Sequence, residues 1–518
     1  MTDSVPSNEL LSKAKFYALQ QGNFIAAEQC FRQTLQQSPN NAEALAGLGQ
    51  CLCWRNHNAE GRKLLVKAAK LLLRKPDKSR SKALLELSEQ LQRQGELDSA
   101  HQLARTAVQF LPRSAAAYHN LAACLHRMNQ LHQALTQAQK ACQLATTKDA
   151  SGCIILLAII EIELKQWTTA KQRLEKLLET EYEPEQRARA CLELAKVYDK
   201  QHRYGEAFDL MSQAGELSRL LPAIQQFDAE SVFQQIESYK IGFDKPLLQR
   251  WSLLALNDAQ PIPVFLVGFL RSGTTLTEQV LSAHPNVLTS DENSLIQEVI
   301  REMEHISEIR GNVPVALRRL DKDDARHLRQ LYWRRVAEEY GPQALTLRFI
   351  NKVALNSIEI GFISTLFPEA RIIFALRDPR DICISCAQQA FSLSPGTVNL
   401  LSWKGIARQY AAVMDLWLNL RDLIQPDYLE LRYEDTVLDF ESSFKRVFNF
   451  LGLDWTEEVN QFHEKTAGRF IATPSFSAVA QPLYASALGR WQGYKDCFDA
   501  IEPILARYIK TFGYGTTK

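Results

Sequence analysis

The sequence lacks the features that mark secreted, membrane-spanning and nucleic-acid-binding chains. Its first residues contain no basic segment followed by an apolar core, so we expect no secretory signal. The longest unbroken apolar run of the first half, Cys153 to Ile160, ends at Glu161 and is far too short to span a bilayer. The formal net charge is only +1, which gives no bulk electrostatic argument for nucleic acid. These absences favour a soluble, cytoplasmic protein in which any anion site is local.

Cysteine occurs ten times but without the spacing of a disulfide scaffold, which suits a reducing compartment. One pair, Cys383 and Cys386, has the C-x-x-C spacing of redox and metal sites. There is no second pair, so packing of two small apolar thiols is the favoured interpretation. The chain has 518 residues, of which 46% are hydrophobic. It is therefore globular and too long for one ordinary core, and we expect two or more domains.

The first half of the chain repeats a helix-turn-helix pattern. Small residues recur 34, 39, 34, 36 and 37 positions apart, at Ala27, Gly61, Ala100, Ala134, Ala170 and Ala207. An apolar residue lies thirteen positions before the small one in three well-formed units, at Leu48, Leu121 and Leu194. Small residues let paired helices approach closely, and Pro39 and Pro112 stop the second helix of two units. The pattern resembles the tetratricopeptide repeat, whose arrays form a superhelix with a concave face that binds a peptide or partner protein.

The pattern along the chain predicts three regions. The repeats occupy residues 8–220, and residues 221–260 read as a helical connector punctuated by proline. From residue 261 to residue 518, apolar strand candidates alternate with helical stretches, at 263–267, at 371–376 and near 428–433. Alternating strands and helices predict a mostly parallel sheet with helices on both faces. We therefore predict an all-α repeat superhelix followed by a P-loop-like α/β domain with a central parallel sheet, whose strand ends share one ligand-binding edge.

The end of the first strand candidate carries a phosphate-binding pattern. Gly268 and Gly273 are separated by four residues and are followed at once by a helix pattern. Loop N–H groups and a helix N-terminus then face an anion. In ATP- and GTP-cleaving enzymes a lysine follows the second glycine. Here Thr274 and Thr275 follow it, and the fixed cation is Arg271 inside the loop. The loop thus predicts a phosphate site without that lysine, and a plain strand-to-helix turn with a threonine cap is the alternative.

A second anion site is predicted where the strand candidate at 371–376 ends. Arg377 stands at the strand end, and Ser385 lies eight residues later in the following helix. An arginine and a serine in these places can together hold a phosphate. The alternative is a surface ion pair between Arg377 and Asp378 or Asp381. Two anion sites side by side predict a ligand with two separated phosphate groups.

Residues 263–495 resemble the sulfotransferase superfamily, and most closely its tyrosylprotein sulfotransferase branch. The loop 268–275 is similar to the family's 5′-phosphosulfate loop, and Arg377 with Ser385 is similar to its 3′-phosphate motif. The resemblance implies 3′-phosphoadenosine-5′-phosphosulfate (PAPS) as donor, no metal, and a hydroxyl acceptor such as a protein tyrosine or a carbohydrate. It also accounts for the missing loop lysine, because sulfuryl transfer needs neither a grip on a γ-phosphate nor magnesium.

The resemblance further implies roles for single residues. It makes Glu292 the catalytic base, and it makes Arg271, Lys352 and Ser475 the groups that stabilise the transferring sulfuryl group and the leaving phosphate. The donor-binding residues that it implies are Arg271, Ser272, Gly273, Thr274, Thr275, Arg377, Ser385, Tyr433 and Arg490. Arg490 stands where the family has lysine, and Gln389 stands where the animal branch has a further phosphate-binding arginine. Residues 300–345 do not match the family, and we expect them to help form the acceptor pocket.

Simpler interpretations remain beside these roles. Glu292 as an acid at a helix N-terminus, Lys352 as a solvated charge and Ser475 as a turn residue are the alternatives for the single residues. For the whole protein the alternatives are a P-loop phosphotransferase, against which the threonine at position 274 argues, and a non-catalytic nucleotide-binding scaffold.

Overall fold

The computed structural model describes residues 6–55, 57–147, 149–252, 256, 258–290, 292–462 and 488–515. Contacts between Cα atoms divide the chain into two compact units, Met1–Tyr182 and Glu183–Lys518. Within the described ranges, no helix is both long and apolar enough to cross a membrane. The cytoplasmic location stays a prediction.

Paired helices build the first unit. They are α1 Ser7–Gln20, α2 Phe24–Gln37, α3 Ala42–Trp54, α4 Asn58–Arg74, α5 Ser81–Arg93, α6 Leu97–Phe110, α7 Ala115–Arg127, α8 Leu131–Leu144, α9 Ala150–Glu163 and α10 Trp167–Thr180, with a 3-10 turn at Lys78–Arg80. The second unit begins with one more hairpin, α11 Pro184–Lys200 and α12 Tyr204–Arg219. The predicted repeat therefore corresponds to six helical hairpins, the last of which belongs to the second unit.

The recurring small residues occupy equivalent positions in the six hairpins. Each of the six is the fourth residue of the second helix of its hairpin, and each is buried. A Cβ at Gly61 would lie 2.7 Å from the carbonyl oxygen of Gly49 and 2.5 Å from the Sγ of Cys53, so the backbones leave no room for a side chain. Pro39 and Pro112 lie two residues beyond the ends of α2 and α6. The two helices thus approach closely at Gly61, and the two prolines follow the helix ends, both as predicted.

A five-stranded parallel sheet forms the centre of the second unit. Its strands are β1 Val264–Gly268, β2 Val287–Thr289, β3 Arg348–Lys352, β4 Arg371–Leu376 and β5 Asp427–Arg432. Their order is β2-β3-β1-β4-β5, and every neighbouring pair is parallel. The prediction of an all-α repeat region followed by an α/β domain with a central parallel sheet is confirmed.

Helices precede, connect and follow the strands. The helices before the sheet are α13 Pro222–Gln225, α14 Ser231–Gly242 and α15 Lys245–Leu248. Those between and after the strands are α16 Thr274–Ser282, α17 Leu295–Ser307, α18 Val313–Arg319, α19 Lys322–Tyr340, α20 Ile360–Leu366, α21 Pro379–Ala387, α22 Trp403–Leu420, α23 Tyr433–Leu438, α24 Phe440–Leu451 and α25 Glu502–Thr511. Shorter 3-10 segments lie at Pro342–Leu345, Ala354–Ser357, Val398–Leu401, Glu457–Gln461 and Arg490–Cys497.

Alternate residues of the central strand pack on opposite faces of the sheet, as strand geometry requires. Val264 and Leu266 belong to a buried cluster with residues of α16 and α24. Phe265 points the other way, and its ring centroid lies 6.1 Å from that of Tyr332 in α19 and 6.0 Å from that of Phe367. Because β1 is completely buried on both faces, it reads in the sequence as an unbroken apolar run.

Candidate functional site

The carboxyl ends of the strands bring most of the predicted site residues to one edge of the sheet. The glycine loop follows β1, Lys352 is the last residue of β3, and Arg377 follows β4 directly. Glu292 comes shortly after β2, and Tyr433 comes directly after β5. Because all five strands are parallel, these positions share the edge at which α/β proteins bind their ligands.

The two loop glycines are required by close contacts. A Cβ at Gly268 would lie 2.5 Å from the carbonyl oxygen of Ala375 in β4 and 2.8 Å from the Oγ of Ser272. Gly273 has φ +96°, and a Cβ there would lie 2.6 Å from Cδ2 of the Tyr433 ring. Gly273 is also the N-cap of α16, whose first residues are Thr274 and Thr275. The loop therefore carries glycine at both positions where a side chain would collide with its neighbours, and it leads into a helix N-terminus, an arrangement that suits a phosphate cradle.

Direct hydrogen bonds join the two predicted anion sites. The Nε of Arg271 donates to the Oγ of Ser385 at 2.9 Å, and the Nη1 of Arg377 donates to the carbonyl oxygen of Arg271 at 3.1 Å. The guanidinium of Arg377 also lies 4.6 Å from the centroid of the Tyr433 ring. Arg271 itself has φ +68°, a left-handed conformation that costs a side-chain-bearing residue about 1–2 kcal/mol. This strained turn directs the Arg271 side chain toward α21.

Lys352 is the most unusual charged residue of the site. It is fully buried at 0% exposure, and it pairs in register with Leu266 of β1. Its backbone N–H donates to the Oγ of Ser290 at 2.9 Å. Its Nζ has no hydrogen-bond partner in the described part of the chain. The interpretation of Lys352 as a solvated charge is therefore wrong. Burying an ammonium group costs several kcal/mol unless an anion pairs with it, so this place suits a negatively charged group.

Glu292 lies in the bend between β2 and α17 and is exposed to solvent. The neighbouring backbone is anchored, because the Nδ2 of Asn293 donates to the Oγ of Ser290 at 2.8 Å and its Oδ1 accepts the N–H of Leu295 at 3.1 Å. The N-cap of α17 is Ser294 and its first-turn acid is Glu298, so Glu292 is not a first-turn acid of that helix. Its role as a base stays a prediction. Ser475 lies outside the described residues, so its predicted role is not tested.

Arg490 contacts residues other than the glycine loop. Its Nη2 donates to the Oδ1 of Asp199 and to the Oε1 of Gln388, both at 2.9 Å. Next to it, the carboxylate of Asp381 accepts the N–H groups of Gly489 and Trp491, both at 2.8 Å. Burial raises the pKa of Asp381 above its ordinary value. Asp381 and Gln388 flank Ser385 in sequence, so the segment around Arg490 is attached to the stretch that carries the candidate 3′-phosphate serine.

Several residues that position the site were missed in the sequence. Ser290 supports both Lys352 and the loop of Glu292, and the Oγ of Ser357 donates to the carbonyl oxygen of Gly268 at 2.9 Å. Asp199 and Asp381 hold the segment around Arg490. Ser290 could have been suspected, because it directly precedes the acidic pair at 291–292. The other three carry no sequence signal, since their partners are between 89 and 291 residues away.

The structure also shows where the cysteine pair lies, and where Gln389 lies, the residue that stands in place of the arginine of the family's animal branch. Cys383 and Cys386 are buried in α21, and burial raises the pKa of Cys386 to about 12, which keeps the thiol protonated.

Gln389 lines a cavity of about 640 Å³ together with Phe208 and Trp403. No lining residue of this cavity comes from the described segment 300–345, so it is not the acceptor pocket that we predicted there. Among the described residues, no cluster of three or more His, Cys, Asp or Glu side chains could hold a metal ion.

Comparisons with known proteins identify the two kinds of domain. Residues 263–457 match the Sulfotransferase family, and residues 18–86 match the Tetratricopeptide repeat. An uncharacterized protein of Aquifex aeolicus (strain VF5) is 26% identical over 364 residues, which are 68% of this chain and 46% of that protein. Protein-tyrosine sulfotransferase of Drosophila melanogaster is 23% identical over 238 residues, which are 44% of this chain and 47% of that protein.

A third relative gives the same picture. Protein-tyrosine sulfotransferase 2 of Gallus gallus is 26% identical over 245 residues, which are 45% of this chain and 63% of that protein. The matches therefore span between about half and less than two thirds of the length of these three relatives. The chain contains a tetratricopeptide-repeat region, found at residues 18–86, and a sulfotransferase domain, found at residues 263–457.

Proposed function

We propose that this protein is a sulfotransferase that moves a sulfuryl group from PAPS to a hydroxyl acceptor, either a protein tyrosine or a carbohydrate. The observation that carries the proposal is the fully buried Lys352, whose Nζ has no hydrogen-bond partner in the described ranges and which stands at the same sheet edge as the glycine loop. A buried cation at the same sheet edge as the glycine loop and a helix N-terminus suits an anionic group at this place. The family match over residues 263–457 supports sulfuryl rather than phosphoryl transfer.

The residues present fit the two charged ends of the donor. The glycine loop and the N-terminus of α16 are suited to the 5′-phosphosulfate, with Ser272 in the loop and Thr274 and Thr275 at the start of the helix. Arg377 and Ser385 are suited to the 3′-phosphate, and Tyr433 lies against both the loop and Arg377. When bound, PAPS supplies the activated sulfuryl group and a phosphate leaving group. We assign Arg490 to the same ligand by resemblance, although its hydrogen bonds in the structure are to Asp199 and Gln388.

The chain's own residues account for the proton and charge movements of such a transfer. Glu292 is exposed, so an acceptor hydroxyl can reach it, and its carboxylate accepts the proton that the hydroxyl loses as the O–S bond forms. Lys352 and Arg271 supply positive charge for the sulfuryl oxygens and for the phosphate oxygen that takes the electrons of the broken bond. Ser475 is assigned to the same task by resemblance.

The acceptor and the partner of the repeats belong to the same proposal. The repeat region matches a module that commonly mediates protein interaction, so we propose that it recruits a protein substrate or a partner. A protein tyrosine is then the preferred acceptor, because the repeats would recruit the protein whose tyrosine the sulfotransferase domain modifies. A carbohydrate acceptor remains the second choice.

Two measurements test the proposal. The purified protein should bind adenosine 3′,5′-bisphosphate in a calorimeter, and radiolabelled PAPS should transfer its label to a tyrosine peptide, to a carbohydrate, or to a component of a lysate of the source organism. Binding without transfer to any of these would favour a nucleotide-binding scaffold. Magnesium-dependent ATP hydrolysis, with no binding of the bisphosphate, would instead identify a P-loop phosphotransferase.

A further inference from the structure

The last repeat hairpin is packed directly on the sulfotransferase domain. Phe208 of α12 stacks on Trp403, with ring centroids 4.5 Å apart and an interplanar angle of 14°. The Nε1 of Trp403 donates to the Oγ of Ser212 at 3.0 Å. A Cβ at Gly215 would lie only 2.1 Å from the carbonyl oxygen of Leu401. Phe208, Ser212 and Gly215 follow the i, i+4, i+7 spacing of one helix face, so α12 has a face shaped for this domain.

The other helix of the hairpin contacts the segment of Arg490. Asp199, near the end of α11, is only 8% exposed, and its Oδ1 accepts from the Nη2 of Arg490 at 2.9 Å and from the hydroxyl of Tyr494 at 2.8 Å. The ring of Tyr204 lies 4.9 Å from that of Tyr494, and a Cβ at Gly493 would lie 2.5 Å from the Tyr204 ring. Burial raises the pKa of Tyr494, so its hydroxyl stays protonated and donates to the carboxylate.

This contact is connected to the candidate donor site through α21. Arg490 also donates to Gln388, the residue that follows α21, and Trp491 lies under the guanidinium of Arg380 at 3.5 Å. The same helix carries Ser385, which accepts the hydrogen bond of Arg271. Asp199 thus lies at one end of a continuous set of contacts that reaches the glycine loop.

We propose that Asp199 is a positioning residue for the donor, and that the sixth repeat hairpin is thereby part of the donor site. This inference rests on the proposed function, because Arg490 acts on PAPS only if PAPS binds. The carboxylate and Gln388 both hold the Nη2 of Arg490, while its side chain stays 24% exposed. The guanidinium has five N–H donors, so an anionic ligand can use those that remain. A guanidinium held in place loses less conformational freedom on binding than a free one.

The alternative is the opposite effect, in which the carboxylate neutralises the arginine that it holds and competes with an anionic ligand. Whether removing the carboxylate charge weakens or strengthens donor binding therefore decides between these two roles of Asp199. The test uses the full-length protein with Asp199→Asn. We expect the Kd for adenosine 3′,5′-bisphosphate and the KM for PAPS to rise about fivefold, because the neutral amide oxygen of asparagine holds the guanidinium less strongly than a carboxylate does. We expect kcat to change much less, and Asp199→Glu to restore part of the affinity.

A matched control separates positioning from general stability. Glu161 of the fifth hairpin is 2% exposed and accepts two hydrogen bonds from Arg173, at 2.8 and 3.0 Å, in the other unit. Glu161→Gln removes a comparable buried charge, and it should leave the Kd for the bisphosphate unchanged. An unchanged or lower Kd in Asp199→Asn would overturn the positioning role. If the wild-type protein itself does not bind the bisphosphate, the proposed function fails, which is a different result.

Two further measurements apply if Asp199→Asn does not fold. Tyr494→Phe removes only one of the two hydrogen bonds to the Asp199 Oδ1, and it should raise the Kd for the bisphosphate a few-fold. In the wild-type protein, adding the bisphosphate should slow hydrogen exchange in residues 488–497 and at the end of α11 together. Slower exchange confined to the glycine loop and α21, with no change in α11, would contradict the inference.

Discussion

Replacing Lys352 by methionine should make the protein more stable and nearly inactive. Lys352 is fully buried, and its Nζ has no hydrogen-bond partner among the described residues. Methionine has a similar length and no charge, so it fills the same space without the cost of an unpaired ammonium group. If the charge exists to meet an anionic ligand, the protein without ligand is destabilised by it, as active sites commonly are.

The magnitudes follow from the burial. Leaving a buried donor unpaired costs about 1–3 kcal/mol, and more for a charged one, so Lys352→Met should raise the free energy of unfolding by at least about 1 kcal/mol. For domains of 150–250 residues each kcal/mol raises the Tm by about 2–4 °C, and a unit as large as Glu183–Lys518 should show a shift near the lower value. Loss of a preorganised charge that meets the transition state should lower kcat by about 10²–10³-fold.

Thermal unfolding with and without adenosine 3′,5′-bisphosphate measures the change in Tm, and transfer from radiolabelled PAPS measures the change in kcat. Lys322→Met is the matched control, because Lys322 is exposed on α19, and surface changes usually stay within about 0.5 kcal/mol. The bisphosphate should raise the Tm of the wild-type protein more than that of Lys352→Met. A lower Tm for Lys352→Met without ligand would show that Lys352 has a stabilising partner, and the inferred anion site at this place would be refuted.

Three other predictions have defined outcomes. Glu292→Ala should lower kcat by about 10²–10⁴-fold while the calorimetric Kd for the bisphosphate stays unchanged, and full activity would remove Glu292 as the base. Gly273→Ala should abolish bisphosphate binding, because its Cβ would lie 2.6 Å from the Tyr433 ring. Gly311→Ala, at φ +72° in open space, should show in thermal unfolding only the backbone cost of about 1–2 kcal/mol. Burial raises the pKa of Glu359 from 4.5 to about 7, so the folded state binds its proton more tightly than the unfolded state. The wild-type protein should therefore lose about 3 kcal/mol relative to Glu359→Gln between about pH 5 and about pH 8 in urea unfolding, and a constant difference would contradict this.

The strands that the sequence revealed are those whose residues are apolar throughout or at one face. The predictions at 263–267, 371–376 and near 428–433 differ by at most one residue at either end from β1, β4 and β5. β2 was missed because it has only three residues. β3 was missed because Arg348, Asn351 and Lys352 interrupt its apolar pattern. Asn351 and Lys352 are nevertheless fully buried. A buried strand whose last residues serve a polar site therefore lacks the apolar pattern by which buried strands are predicted.

Motifs predicted which residues meet at the sheet edge, but not how they contact each other. The glycine spacing and the strand-end position of Arg377 are local properties, and both can be read from a short stretch. The hydrogen bond between Arg271 and Ser385 joins residues 114 positions apart, and it depends on the left-handed turn of Arg271. The sequence does not show that a residue other than glycine adopts the left-handed conformation, because many residue types can adopt it when the surrounding contacts require it.

The sixth hairpin explains why a repeat pattern and a structural unit need not end at the same residue. Ala207 keeps the phase of the repeat: like the five small residues before it, it is the fourth residue of the second helix of its hairpin, and it is buried. Phe208, Ser212 and Gly215 face the sulfotransferase domain instead, and their positions are free of the repeat's constraint. The repeat period therefore follows the buried positions within each hairpin, and it does not indicate what packs against the remaining faces of the helices. Since α11 and α12 belong by contact to Glu183–Lys518, the hairpin that the period assigns to the array is structurally a part of the unit that carries the candidate donor site.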